Sequence, residues 1–172
     1  VGGISGHGNV TDCENSGSVT GTSVNVGGIV GVSHGHSNNI TECINSGVVS
    51  GTTQVGGIIG YAYMGSVTDC KNSAKVSATG NKVGGIVGSY SGYSNQSLTG
   101  CENSGDVYSD GSYVGGIAGE TSNNNCVLTT SINRGNVTGK DYVGGVAGNA
   151  ITVTDCDNYG NVSGNHSVGG IA

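Results

Sequence analysis

The chain contains no proline, no phenylalanine and no tryptophan, and only 9% of its 172 residues carry a charged side chain. Without Phe or Trp, a thick globular core built on aromatics is excluded. Basic residues are scarce: Lys and Arg number 5 against 11 Asp and Glu, for a formal charge of −6. The basic footprint of a nucleic-acid-binding chain is therefore missing. No apolar run approaches the roughly 18 residues of a membrane-spanning helix, so we expect no membrane insertion in this segment. No signal peptide is visible, and the chain starts and stops inside a repeat, so we expect a piece of a longer array.

Glycine is abundant, at 36 residues, and the large apolar residues are mostly Val and Ile. High Gly with low charge can signal disorder. A disordered chain, however, does not keep apolar residues at fixed offsets. Here Val26-Gly27-Gly28-Ile29-Val30-Gly31 returns with little change throughout. Copies begin at Val1, Val26, Val55, Val83, Val114 and Val143, with a partial one at Val168, at spacings of 25 to 31 residues. Periods of roughly 20–50 residues mark solenoids and related arrays. We therefore read residues 1–172 as one repeat array.

A second set of columns follows each Val-Gly-Gly. Cys13, Cys43, Cys70, Cys101 and Cys156 share one offset, with Ser131 in the fifth copy. Two residues later stand Asn15, Asn45, Asn72, Asn103, Asn133 and Asn158. Two further on come Gly17, Gly47, Gly105, Gly135 and Gly160, with Ala74 in the third copy, and then Val19, Val49, Val76, Val107, Val137 and Val162. A period of two is strand geometry with one face inward. The segments are short and β-branched, and no window carries a helical apolar period. The reading is an all-β parallel solenoid of about six coils with three short strands each. Stacked coils lie about 4.8 Å apart, so six would form a rod of roughly 30 Å.

In such a stack identical side chains form ladders. Asn suits a turn, because its amide bonds local backbone and tolerates the left-handed region; stacked amides also bond one another. The column Gly serves either a positive φ or smallness, and Ala74 favours smallness. Val and Ile of Val-Gly-Gly-Ile stand three apart, which a flat strand cannot point the same way. A bend at Gly-Gly is expected. Length varies in one place: from Val-Gly-Gly to the Cys column the interval runs from 12 to 18 residues, whereas from the column Val to the next Val-Gly-Gly it is always 6 or 7. Insertions thus map to one edge, which in repeat proteins is often the binding face.

Val-Gly-Gly-Ile-Val-Gly followed by Thr-Asp-Cys-x-Asn-Ser-Gly-x-Val resembles the GLUG repeat family, over essentially the whole chain. Ile or Val stands where the family name implies Leu. The resemblance implies a secreted or cell-surface bacterial repeat module, adhesin-like, of the kind also found in non-catalytic regions of IgA1-specific metallopeptidases. A looser similarity to autotransporter β-helices implies right-handed coiling. No catalytic residue is transferred, because His-Glu-x-x-His is absent. The expected function is a stalk or binding surface that displays a row of variable loops. Its alternatives are an accessory region of a secreted peptidase or glycan-active enzyme, and a filament subunit joined end to end.

Six Cys in a secreted chain invite a disulfide framework. One Cys per coil at one offset argues otherwise, since parallel side chains about 5 Å apart exceed the roughly 3.5–4.5 Å between bridged Cβ atoms. We expect free thiols packed as small hydrophobes, and Cys126, off the column, as an exposed or loop thiol. The acids beside the Cys column (Asp12, Glu42, Asp69, Asp155; Glu14, Glu102, Asp157) read as a solvated face. His34 and His36, with His7 in the equivalent loop, are loop histidines that are solvated unless stacking gathers them around zinc or copper; no metal and no cofactor are expected. Tyr61, Tyr63, Tyr90 and Tyr93 share the variable loops with His34, His36 and Asn123–Asn125. Such an edge stacks on sugar rings or a peptide partner, or merely covers the coil edge. A host glycan or extracellular protein is the expected partner. Tyr113 and Tyr142, just before Val-Gly-Gly, are expected to cap that corner. Thr20, Thr22, Thr52 and Thr53 suggest a flat Thr face of the ice-binding kind, but the same segment then reads Ala78-Thr79-Gly80, Tyr108-Ser109-Asp110 and Gly139-Lys140-Asp141, which such a face would not tolerate.

Overall fold

The computed structural model describes residues 1–35, 38–92, 96–122 and 126–172. Its 30 short strands form five six-stranded sheets, and every strand pair recorded is parallel. No helix occurs among the described residues. Each coil contributes one strand to each sheet, so the solenoid is six rungs deep and five complete turns separate the first rung from the last. In the coil that starts at Val24 the strands are Val24–Gly27, Val30–His34, Ile40–Thr41, Ile44–Asn45 and Val49–Gly51. We number the five sheets I to V in that order.

The coil thus has five strands where the sequence suggested three. Two corners make the difference. One is the bend at Gly-Gly: Val26 and Ile29 are both fully buried but belong to separate apolar clusters. The other lies between sheets III and IV, at the residue before the Cys column. Asp12, Glu42, Asp69, Thr130 and Asp155 all have φ near +50°, and Gly100 has φ of 65°. A left-handed residue there turns the chain, so that Ile40 and Cys43, three apart, both point inward. The same spacing recurs as Val67 and Cys70, and as Leu98 and Cys101. A third corner, before each Val-Gly-Gly, carries Asn25, Gln54, Lys82, Tyr113, Tyr142 and Ser167 at φ between 51° and 66°. The ladder Asn and column Gly residues are not among the left-handed positions.

The column Gly is needed for room. A Cβ at Gly47 would run into the Gly17 carbonyl below it, and one at Gly105 into the Ala74 carbonyl. The second Gly of the first six Gly-Gly pairs makes space for Asn: a Cβ on Gly57 would lie 2.5 Å from the Asn72 Cγ. The Asn amides form one continuous ladder. Each Nδ2 donates to the carbonyl two residues on, as from Asn45 to Gly47 at 2.8 Å. It also donates to the Oδ1 of the next Asn, from Asn15 through Asn45, Asn72, Asn103 and Asn133 to Asn158, every link 2.8 Å. Buried amides with both bonds made stabilise the stack, by about 1 kcal/mol net per bond.

The ladder and the Gly-Gly backbone facing it pinch the interior in two. A narrow compartment between sheets V and I takes its apolar side chains from Val and Ala alone, among them Val49, Val55, Val76, Ala78 and Val83, with Ser109 buried in the Ala78 column. A wider one, enclosed by sheets II, III and IV, holds Ile, Leu, Cys, Val, Ala and one Tyr.

Candidate binding face

The variable loops connect sheet II to sheet III. On the outer surface of sheet II, Tyr61 stands in register with Val32 and Ser89, and Tyr63 with His34 and Ser91. This register gathers His34, Tyr61 and Tyr63 into one aromatic patch. The His34 and Tyr63 ring centroids are 4.7 Å apart, those of His34 and Tyr61 6.2 Å, and those of Tyr61 and Tyr63 6.4 Å. His34 is exposed and both tyrosines are half-buried. The Tyr61 hydroxyl lies 2.7 Å from the Ser91 Oγ, which fixes the ring against the next coil. Three clustered rings, one exposed and two half-buried, suit a sugar face or an apolar side chain.

Tyr90 does not join them. It is fully buried, in the column of Ser33, Ala62 and Thr121, all turned inward. Small residues above and below leave a gap in the wide compartment, and the phenol fills it. Its hydroxyl donates to the Gly65 carbonyl, and to that of Ser97 at 3.4 Å. Burial raises its pKa far above the usual phenol range. The offset from Val-Gly-Gly, shared with Ala62, was the available signal; residue type alone pointed to the surface. His36, Tyr93 and Asn123–Asn125 lie outside the described residues. His7 pairs with Val32 whereas His34 pairs with Tyr63, so these two imidazoles stand in different columns. Among the described residues no group of three or more His, Cys, Asp or Glu is placed to hold a metal ion.

Cys126 also moves inward. It begins a strand of sheet III, two residues before buried Leu128, and is fully buried. Burial pushes its thiol up to about 12. In the Cys column, Cys43, Cys70 and Cys101 are buried and Cys13 and Cys156 half-buried; these five thiols and that of Cys126 are all free. Contact with the Cys101 thiol, reinforced by burial, pushes Cys70 up to about 12. Contact with Cys70 and burial raise Cys43 as well. These groups stay protonated at neutral pH, so they are packing elements and poor nucleophiles.

The left-handed corners present exposed Asp12, Glu42, Asp69 and Asp155 to solvent. Tyr113 and Tyr142, at the corner before Val-Gly-Gly, stack with centroids 4.9 Å apart and planes 5° from parallel. Arg134 bonds Glu102 at 2.9 Å and lies 5.0 Å above the Tyr159 ring.

One ladder went unread in the sequence. Thr11, Thr41, Thr68, Thr99, Thr129 and Thr154 form an unbroken column along sheet III. It is legible as the Thr two residues before every Cys-column position.

Comparison with known proteins follows the same repeat. The model of the GLUG motif matches residues 51–77. The chain carries the GLUG motif. The matched stretch runs from the end of one sheet V strand, through Val55-Gly-Gly and the Tyr61–Tyr63 strand, to the next sheet V strand. It is therefore one full turn of the solenoid, and the other coils repeat its strand order rung by rung. No curated protein and no solved structure matches the chain.

Proposed function

We propose that this GLUG solenoid is a non-catalytic binding module of a bacterial cell-surface or secreted protein. Its role is adhesive display. The observation that carries the reading is the His34–Tyr61–Tyr63 patch, set beside the loops whose length varies while the rest of the coil stays constant. The rungs pair their backbones with one another and provide a rigid row, so His34, Tyr61 and Tyr63 sit at fixed spacing. Aromatic rings anchored at such an edge are what recognition of a host glycan or extracellular protein requires.

The test compares the 172-residue chain with a Tyr61→Ser, Tyr63→Ser double variant on immobilised glycans and extracellular-matrix glycoproteins. Tyr90 is left intact because it belongs to the core. Binding by the parent, lost in the variant with unchanged β-type circular dichroism, is the expected outcome. Absence of binding by both proteins would overturn the adhesive reading in favour of a spacer.

A further inference from the structure

Sheet V carries a second candidate site, away from the aromatic patch. Its outward column reads Thr20, Ser50, Ser77, Tyr108, Thr138 and Ser163. Five positions are small hydroxyl residues and one is a phenol. Tyr108 therefore stands proud of its own face and is 42% exposed. Its hydroxyl donates to the Asp110 carboxylate at 2.5 Å, which pins the ring in one orientation.

A shallow cavity lies on each side of that ring along the solenoid axis. One, of about 220 Å³, is lined by Ser50, Gly51, Ser77, Ala78, Thr79, Tyr108 and Asp110. The other, of about 340 Å³, is bounded by Tyr108 and Asp110 again, together with Thr138, Lys140 and Asn165. From the Ser50 rung to the Ser163 rung there are four rung spacings, or about 19 Å.

We propose that this row binds a neutral, extended saccharide chain laid along the solenoid axis, with one sugar ring stacked on Tyr108. The chemistry selects this ligand class. An aromatic face attracts the polarised C–H bonds of a pyranose. Ser, Thr, Asn and Lys side chains on both sides, with the free oxygen of Asp110, offer hydrogen-bond donors and acceptors to sugar hydroxyls. The backbone groups of sheet V are already paired between rungs, so an extended peptide gains no strand partner here. Asp110 at the centre, within a chain of net charge −6, disfavours polyanions. The pinned ring lowers the ordering cost of binding.

The experiment titrates the 172-residue chain with cellohexaose, xylohexaose, mannohexaose and maltohexaose, following backbone amide shifts by NMR. Shifts centred on Ser77, Tyr108 and Thr138 with at least one hexasaccharide are expected. Tyr108→Ser, which restores the small-hydroxyl pattern of the column and so preserves the fold, should weaken binding about tenfold. Tyr108→Phe keeps the ring and should retain most of the affinity. The Tyr61→Ser, Tyr63→Ser variant should bind these sugars as the parent does, which separates this site from the aromatic patch. The proposal is overturned if no hexasaccharide moves those amides, if Tyr108→Ser binds like the parent, or if binding follows Tyr61 and Tyr63 instead.

Discussion

The two apolar compartments obey different rules. The apolar side chains of the narrow one are Val and Ala alone, with buried Ser109 in the Ala78 column; those of the wide one are Ile, Leu, Cys, Val, Ala and the Tyr90 ring, with Ser33 and Thr121 beside it. The cause is how each is closed. From sheet V to sheet I the chain always has 6 or 7 residues between column positions, so the cross-section hardly varies. Space there is short: a Cβ on Gly51 would come within 2.7 Å of the Val55 Cγ2 and 2.9 Å of the Val26 Cγ2. Between sheets II and III, which border the wide compartment, the length of chain varies. Larger side chains can enter that compartment, and Tyr90 shows how far this goes. Constancy on one side and tolerance on the other follow from one geometric difference.

The largest effect should come from breaching the partition itself. Asn72→Ala removes the acceptor for Asn45 and the donor to Asn103 and Ala74, all buried. It should cost about 3 kcal/mol, read as a drop in the urea midpoint. Asn158→Ala, at the half-buried last rung, should cost only about 1 kcal/mol. Equal losses would mean that the ladder does not act as a continuous unit.

A smaller effect sharpens the contrast between compartments. Val83→Leu overpacks the narrow side and should destabilise by about 1–3 kcal/mol, whereas Ile86→Leu on the wide side should stay below about 1.5 kcal/mol. Paired chemical denaturation decides it. The reverse order would show that the two spaces are equally rigid.

The gentlest probe is pH, because the thiols lie only on the wide side. Cys70 and Cys126 are held up to about 12 when folded, while unfolded thiols ionise near 8.5. Their folded pKa values are raised, so their contribution is fully present below about pH 8.5. It is lost as pH rises toward 12, since the unfolded chain releases protons that the folded chain keeps. The urea midpoint should fall between pH 8 and 11, and a Cys70→Ala, Cys126→Ala variant should show a shallower fall.

The repeat itself determined much of this protein. Val-Gly-Gly at near-regular spacing and the Asn column two residues after Cys were enough to name an all-β stack, because backbone pairing between parallel coils places equal offsets in one column. Glycine and the Ile-for-Leu departure did not obscure the GLUG pattern. Tertiary structure decided what local chemistry could not. The left-handed corner at Asp12, Glu42 and Asp69 split one expected strand into two, since inward pointing of both Ile40 and Cys43 is a property of the closed coil. Tyr90 and Cys126 look like loop residues by type, yet their register puts them inside. Tyr108 and the sheet III Thr ladder gain meaning only when successive rungs bring residues about 30 apart in sequence into contact. Which side chains share a surface is set by stacking, and stacking is the one quantity a linear reading does not contain.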